Sequence, residues 1–115
     1  MELKCDCHPV HVKKVNKVKD TLMSEKRMID IANFYKALSD TTRVKIISVL
    51  ENHDLGVNDM AVVLNMTKSA VSHQLKYLKD MNIVTNKKNG KEVIYSLIDD
   101  HVRQLFNISC FHIVE

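Results

Sequence analysis

The spacing of apolar side chains along the chain predicts a series of short helices. The clearest stripe follows Ser24, a suitable N-cap, and its members recur at intervals of three and four: Met28, Ile31, Ala32, Tyr35 and Leu38. A second stripe starts after Asp40, also a suitable cap, and contains Val44, Ile47 and Leu50. A weaker pattern over residues 10–23 predicts an earlier helix.

Two more short helices are predicted in the middle of the chain. The first covers Val57–Leu64, and the second begins after Thr67, its N-cap, and reaches about Met81. Only Asn65 and Met66 separate them from each other. The apolar faces that would pack the two helices crosswise are Met60, Val63 and Leu64 on the first, and Val71, Leu75 and Leu78 on the second. This arrangement is typical of a helix-turn-helix.

Alternation of apolar and polar residues then predicts two strands, residues 83–87 and 92–97. The turn between them contains Asn89-Gly90, and both residues tolerate the positive φ that a type I′ turn requires. Asp99 or Asp100 would cap a last helix. The predicted fold is mainly α with a small β-hairpin, a winged helix-turn-helix with helical extensions at both ends.

Composition narrows the classes of function. With 115 residues the chain fits one small domain, and dimerisation would help to bury its 45% of hydrophobic residues. Two glycines leave little room for a phosphate-binding loop, and neither HExxH nor GxSxG occurs, so we do not expect an enzyme. The absence of a bilayer-length apolar run and of a signal-peptide pattern predicts a cytoplasmic protein without a membrane partner.

Positive charge is concentrated in one part of the chain. Residues 67–91 hold six lysines and one aspartate, a local charge of +5, whereas the whole chain carries +3 and the remainder therefore −2. Such a cluster attracts a polyanion by counterion release. The same number of lysines also occurs on solvated helix faces, so charge alone leaves both readings open.

The second helix of the predicted helix-turn-helix has polar residues away from its apolar face. These are Thr67, Lys68, Ser69, Ser72, His73 and Lys76, while Gln74 could read adenine if it points outward. Lys87, Lys88 and Lys91 at the hairpin would reach flanking phosphates as a wing. Each residue taken singly is an ordinary cap or surface residue. Their combination and order favour binding to double-stranded DNA.

Three stretches together resemble the ArsR/SmtB family of metal-sensing repressors. They are KALSDTTRVKIISVL, DLGVNDMAVVLNMTKSAVSHQLKYLKDMNIV, and NGKEVIYSLID followed by DHV. The similarity covers about residues 30–115. It implies a homodimeric winged helix with terminal helices at the dimer interface, whose SAVSHQL helix enters operator DNA. It also implies that bound metal releases the repressor and derepresses genes for metal efflux or sequestration.

The last predicted helix carries metal-binding groups at both of its ends. Asp99 and His101 lie at its start, and His112 and Glu115, three positions apart, share a face at its end. His101 and His112 are eleven positions apart, which corresponds to a separation of about 16 Å along the helix axis. One ion therefore cannot contact both histidines of one chain.

An antiparallel copy of this helix from a second subunit would bring the two ends together. Two sites would result, each with Asp99 and His101 from one chain and His112 and Glu115 from its partner. Nitrogen and oxygen donors in this number suit Zn(II). The dimer seam would consist of Val102, Leu105, Phe106, Ile108, Ser109 and Ile113. The family resemblance implies the same four ligands, although polar residues also occur at the ends of ordinary amphipathic helices.

A second group of candidate ligands lies near the N-terminus: Cys5, Cys7, His8 and His11. Some members of the family combine such an arm with a Cys-x-Cys pair to bind cadmium, lead or zinc, but Gly56 and Asn58 occupy those positions here. Asp59 matches an oxygen ligand of some zinc-sensing members. A hybrid site for Cd(II), Pb(II) or Zn(II) and a disordered tail that binds metal adventitiously both stay open. We expect Cys110 to be a small buried apolar residue.

These patterns predict two regions, a metal-binding arm with the first helix over residues 1–23 and the winged helix-turn-helix domain with its C-terminal helix over residues 24–115. The preferred function is a metal-responsive repressor. The main alternative is a winged-helix regulator that senses redox state through the N-terminal thiols. A metal buffer without DNA binding is a third reading.

Overall fold

The structure, a computed structural model, describes residues 4–113. By its internal contacts the chain divides into two compact units, residues 1–32 and residues 33–115. None of the helices described between residues 4 and 113 has both the length and the hydropathy needed to cross a membrane.

Two helices account for the first unit. α1 covers Val12–Thr21, so it is shorter at both ends than the pattern over residues 10–23 predicts, and each of its side chains is at least partly exposed. α2 covers Glu25–Ala37 and continues into the second unit. The Oγ of Ser24 accepts a hydrogen bond from the N–H of Arg27 at 3.3 Å, which confirms the predicted N-cap.

The second unit contains the predicted helix-turn-helix. α3 covers Thr41–Leu50, α4 covers Val57–Leu64, and α5 covers Lys68–Asp80. The carboxylate of Asp40 accepts from the N–H of Arg43 at 3.2 Å, and the hydroxyl of Thr67 accepts from the N–H of Ala70 at 3.1 Å. Both caps are therefore confirmed, because each satisfies an amide that the first turn of a helix leaves unpaired.

Two asparagines with left-handed backbones bracket α5. Asn65, the C-cap of α4, has φ 54° and ψ 50°, and Asn82, which follows the C-cap of α5, has φ 58°. Asparagine enters this region more readily than most residues with a Cβ. The N–H of Met66 bonds to the carbonyl of Ala61 at 3.0 Å and closes the tight turn between α4 and α5.

The wing is part of a three-stranded antiparallel sheet in the order β1-β3-β2. β1 is Leu55–Gly56, β2 is Val84–Asn89 and β3 is Glu92–Leu97. The sequence patterns did not predict β1, because two residues are too few to show alternation. Leu55 pairs with Tyr95, and this pairing attaches the start of α4 to the wing.

The predicted turn of the hairpin is wrong by one residue. Asn89 pairs with Glu92 as the last residue of β2, so the two-residue loop is Gly90-Lys91 and not Asn89-Gly90. Of the residues in this turn, Gly90 has a positive φ of 65°. Glycine at the first loop position is typical of a type II′ turn, whereas a type I′ turn needs positive φ at both positions.

The last helix, α6, covers Asp100–Ile113 and starts against the core of its own unit. Val102 is 6% exposed and belongs to that core, so its predicted place in a dimer seam is wrong. The other fully or nearly buried apolar residues come from α2, α3, α4, α5, the strands and the position just before β2: Ala37, Ile46, Ile47, Leu50, Met60, Val71, Leu75, Leu78, Ile83, Val84 and Leu97. The core thus holds the helix-turn-helix, the wing and the beginning of α6 together.

Candidate metal and nucleic-acid sites

The exposed face of α5 carries the polar residues that the sequence placed there. Val71, Leu75 and Leu78 are buried, and the opposite side of the helix is exposed at Thr67, Lys68, Ser69, Ser72, His73 and Lys76. Gln74 is half-buried at the edge of this face. Lys76 forms an exposed pair with Asp80, with 3.6 Å between Nζ and Oδ2. A row of hydroxyls, amide and lysines at the start of a helix suits contact with phosphates and base edges.

Arg43 ties α5 to the preceding helices, a role that the sequence analysis missed. Its Nε donates to the carbonyl of Ala37 at 2.6 Å, at the end of α2. The guanidinium carbon also lies 4.4 Å from the centroid of the Tyr77 ring on α5. A half-buried cation over an aromatic face adds to the stability of the packing. An arginine in the first turn of α3, three positions after the cap Asp40, with a tyrosine on the next helix but one, was the available signal.

The tip of the wing and the start of α5 face a common cavity of about 250 Å³. It is lined by Gly56, Val57, Asn58, Asp59, Lys68, Lys91, Glu92 and Val93. Lys68 from α5 and Lys91 from the wing thus converge on one space, although the carboxylates of Asp59 and Glu92 line it as well. Lys87 and Lys88, the remaining wing lysines, are exposed on β2. Lys68 and Lys91 thus bring cations from two elements to one cavity.

At the beginning of α6 the structure brings two predicted metal ligands together. Oδ1 of Asp99 accepts from the N–H of His101 at 3.0 Å and from the N–H of Val102 at 3.3 Å, so Asp99 is the cap of α6. Its other oxygen, Oδ2, lies 3.4 Å from Nδ1 of His101. Both side chains are exposed. A carboxylate oxygen and an imidazole nitrogen this close are donors of the type that Zn(II) uses.

The third predicted ligand, His112, belongs to the far end of α6. His112 is exposed in the last turn, and Glu115 lies outside the described residues. Among residues 4–113, neither unit gathers three or more His, Cys, Asp or Glu side chains into a group that could hold a metal. Within the described part of α6, a single subunit therefore offers the Asp99–His101 pair and, apart from it, His112.

Asp100 and Arg103 surround this pair with a small network. Asp100 accepts from Nε2 of Gln104 at 2.9 Å and from Nη1 of Arg103 at 3.1 Å. These two donors, Gln104 first, hold the pKa of the Asp100 carboxyl below its ordinary value. Nε of Arg103 in turn donates to the carbonyl of Glu51 at 2.8 Å, at the end of α3. The sequence analysis did not single out Arg103, because a contact across 52 positions leaves no local pattern.

An apolar groove runs along α6 with a cavity of about 390 Å³. It is lined by Leu38, Val44, Ile47, Val102, Leu105, Phe106, Ser109, Cys110 and Ile113. Beyond the groove, Phe111 is 89% exposed and Ile108 is 66% exposed. Cys110 is exposed in the single subunit, so its burial in a dimer seam stays a prediction. So much exposed apolar surface on one helix is typical of an interface.

The N-terminal candidate ligands are all exposed. Cys5, Cys7, His8 and His11 belong to the first unit, where His11 directly precedes α1. The N–H of Cys7 donates to Sγ of Cys5 at 3.5 Å, and this bond, with one from the Cys7 side chain, lowers the pKa of the Cys5 thiol. Asp59 is an exposed residue in the first turn of α4, in the second unit.

Comparison with known proteins places this arrangement among bacterial regulators. Residues 40–86 match the family model described as "Bacterial regulatory protein, arsR family". The chain is 41% identical to the cadmium resistance transcriptional regulatory protein CadC homolog of Staphylococcus aureus, over 94% of this chain and 89% of that protein. It is 36% identical to the transcriptional repressor SmtB homolog of a Synechocystis strain, over 96% of this chain and 84% of that protein.

Among solved structures, the chain is similar to the solution structure of apo-NmtR. The TM-score is 0.70 with 34% sequence identity, and the match covers 79% of this chain and 76% of that chain. Residues 40–86, which match the family model, contain the helix-turn-helix and the first half of β2. The relatives CadC and SmtB extend the similarity to nearly the whole sequence.

Proposed function

Because the chain belongs to the ArsR family of bacterial regulatory proteins, we propose that it is a metal-responsive transcriptional repressor. The family consists of regulators of transcription, so the protein is not an enzyme. In this proposal a homodimer binds operator DNA and leaves it when Zn(II) binds, with Cd(II) and Pb(II) as further candidates. The regulated genes would encode metal efflux or sequestration.

The exposed face of α5 supports the DNA-binding part of the proposal. Thr67, Lys68 and Ser69 stand at the start of that helix, where backbone amides also favour the negative charge of a phosphate. Lys68 and Lys91 line one cavity from two elements, so one stretch of sugar-phosphate backbone could be held by both. The remaining contacts in this proposal are Ser72, His73, Gln74, Lys76, Lys87 and Lys88.

The observation that carries the metal-sensing part is the Asp99–His101 pair, with 3.4 Å between Oδ2 and Nδ1. Two exposed N and O donors at the start of α6 form half of a tetrahedral Zn(II) site. His112, with Glu115, would supply the other half from the partner subunit. The similarity to the CadC homolog, a cadmium resistance transcriptional regulatory protein, also supports a metal as the signal.

A homodimer built on α6 would place both halves of the site together. Phe111, Ile108 and Ile113 are strongly exposed on this helix, and an isologous contact between two copies would cover them. Zinc, when bound, would supply a link between the subunits. Asp99 and His101 would then be held in one position relative to the partner, which selects one placement of the two α5 helices. A coupling of about 1–3 kcal/mol would lower the affinity for DNA roughly 5- to 150-fold.

The test is operator binding by the purified dimer, measured with and without Zn(II) on DNA from the region upstream of its own gene. We expect salt-sensitive, sequence-selective binding that weakens as zinc is added. Binding without a zinc effect would refute metal sensing, and absence of any selective binding would refute the repressor and favour a metal buffer.

Mixed dimers test whether the site is shared between subunits. In a dimer of one His101→Ala chain and one His112→Ala chain, one shared site keeps all its ligands and the other loses two. We expect both variant homodimers to lose tight zinc binding and the mixed dimer to recover one zinc ion per dimer. A site within one chain would leave the mixed dimer as defective as its parents.

Residues 1–23 form a metal-binding arm in this proposal. Its ligands are Cys5, Cys7 and one of His8 or His11, completed by Asp59, and its thiolates suit Cd(II) or Pb(II). The cluster of two thiols and two imidazoles within residues 5–11 supports it. Titration of Cys7→Ser with Cd(II) and Pb(II) tests the arm. If Cys7→Ser responds to both metals as the wild type does, the arm has no function in metal sensing.

The second candidate function is redox sensing through Cys5 and Cys7. The lowered pKa of Cys5 favours it, because the thiolate is the form that oxidants attack. The two candidates respond differently to alkylation of all thiols. A metal sensor using the α6 ligands keeps two zinc ions per dimer after alkylation and keeps its zinc response, whereas a redox sensor loses its response.

A further inference from the structure

Arg103 forms the one side-chain hydrogen bond that connects distant parts of the sequence within residues 4–113. Its Nε donates to the carbonyl oxygen of Glu51 at 2.8 Å across 52 positions, while every other side-chain bond in this part of the chain spans seven positions or fewer. The guanidinium is half-buried. A charged donor at this distance forms a strong hydrogen bond.

The same guanidinium holds the turn that carries the candidate zinc ligands. Nη1 of Arg103 donates to Oδ1 of Asp100 at 3.1 Å, and Asp100 lies between Asp99 and His101 in the sequence. One rigid guanidinium therefore donates a hydrogen bond to the ligand-bearing turn from one nitrogen and to the end of α3 from another. Lysine could not do this, because its single ammonium lacks the fixed separation of two donors.

The start of α6 is anchored in the unit, and its end is not. Val102, next to Arg103, is 6% exposed, whereas Phe111 near the other end is 89% exposed. A displacement of the first turn must therefore be absorbed by the elements that this turn touches, since close-packed interiors transmit small shifts. Arg103 makes the end of α3 one of those elements.

Glu51 lies at the end of α3, just before the segment that leads into the helix-turn-helix. It is the C-cap of α3, and β1 and α4 follow after residues 52–54. The carbonyl that Arg103 holds is one of the last of the helix, where an α-helix leaves acceptors without internal partners. A shift of this carbonyl moves the point from which the helix-turn-helix begins.

We propose that Arg103 is the positioning residue that couples the Asp99–His101 turn to the helix-turn-helix, through its simultaneous bonds to Asp100 and to the carbonyl of Glu51. This inference rests on the proposed function, because it assigns the route by which occupation of the zinc site changes DNA affinity. If Arg103 only capped the end of α3, its replacement would change the stability of the protein. Zinc would then still weaken DNA binding by the same factor as in the wild type.

The experiment compares four full-length dimers: wild type, Arg103→Lys, Asp100→Ala and, as the matched control, Arg27→Lys at an exposed position of α2. The measured quantity is the ratio of operator Kd with saturating Zn(II) to operator Kd without it. We expect this Kd ratio to fall at least about fivefold, toward one, in Arg103→Lys and in Asp100→Ala. It should stay at the wild-type value in Arg27→Lys. Reciprocity requires that zinc affinity of the DNA-bound variant then approach that of the free variant.

A second measurement uses the metal-free protein alone. If Arg103 holds the end of α3, amide hydrogen exchange over residues 52–56 is faster in Arg103→Lys than in Arg27→Lys. A wild-type Kd ratio in a folded Arg103→Lys dimer would overturn the inference, even if exchange were faster, because faster exchange alone is what a purely structural role of Arg103 produces. If Arg103→Lys fails to fold, the exposed Asp100→Ala variant decides, and a wild-type ratio there overturns it. A wild-type protein insensitive to zinc would instead overturn the proposed function itself.

Discussion

Oδ2 of Asp99 lies 3.4 Å from Nδ1 of His101, while Oδ1 of the same carboxylate caps α6. One carboxylate thus orients the helix start with one oxygen and keeps the other beside the imidazole. A ligand that is already fixed by a cap loses less conformational freedom on binding metal. The pair is therefore partly preorganised before a second subunit contributes its donors.

Replacement of His101 by alanine tests this pair directly. We expect His101→Ala to bind operator DNA as the wild type does without metal, because the side chain is exposed and remote from α5 in sequence. The wild-type loss of affinity with zinc, roughly 5- to 150-fold, should shrink to about onefold. Gel-shift titrations with and without Zn(II) measure both values.

His53→Ala is the matched control, since His53 is also exposed but lies between α3 and β1. It should keep the wild-type response. A variant at His101 that still releases DNA on zinc addition would contradict the assignment of the α6 site.

Lys91 in the hairpin loop is expected to contact a phosphate and no base edge. Lys91→Ala should weaken binding to all DNA sequences by similar factors, and the slope of log Kobs against log salt should decrease by about one. Fluorescence anisotropy over a series of salt concentrations measures this slope. Lys45→Ala, an exposed change on α3, serves as the control and should leave the slope unaltered. If Lys91→Ala and Lys45→Ala give equal slopes, Lys91 does not contact a DNA phosphate and the wing is not part of the DNA interface.

The two glycines of the chain predict opposite responses to alanine. Gly90 has φ 65° in open space, so Gly90→Ala introduces backbone strain and should destabilise the protein by about 1 kcal/mol. Gly56 has φ −84°, and a Cβ there would meet its nearest atom, the carbonyl oxygen of Val93, at 3.4 Å. Gly56→Ala should therefore be close to neutral. Urea denaturation of both variants measures the difference, and equal stabilities would contradict the left-handed assignment of Gly90.

The thiol of Cys5 should have a pKa below that of an unperturbed cysteine. Its pKa is lowered first by the backbone N–H of Cys7, which stabilises the thiolate, so the thiolate forms at lower pH than in a free cysteine thiol. Iodoacetamide alkylation against pH measures this in Cys7→Ser/Cys110→Ser, which keeps Cys5 and the backbone donor, with N-acetylcysteine as the reference thiol. Identical pH profiles would contradict the hydrogen bond.

Local chemistry made the helix starts predictable. Ser24, Asp40, Thr67 and Asp99 each accept a backbone N–H within the next three residues, and such caps depend on adjacent sequence alone. The buried face of α5 was predictable for the same reason, since a period of 3.6 residues is a local property. The hairpin was found, but its loop was misplaced by one residue because both Asn89 and Gly90 accept positive φ.

Contacts between distant segments were not predictable in the same way. An apolar stripe on α6 shows that one face will be covered, but it does not show by what, so Val102 was assigned to a subunit interface when it lies in the core. The bond from Arg103 to Glu51 and the stacking of Arg43 on Tyr77 depend on how helices are placed in space. The pairing of Asp99 with His101 was foreseen because two positions separate them.

The left-handed asparagines on either side of α5 bear on how this surface can evolve. Asn65 and Asn82 fix the backbone at the entry and exit of α5, at φ values that most side chains resist. Selection at these two positions acts on chain direction, so glycine is the natural replacement there, whereas β-branched residues are excluded. The exposed residues of α5 can therefore change without altering the direction of the helix, because that direction is held by two positions outside it, while Val71, Leu75 and Leu78 remain tied to the core.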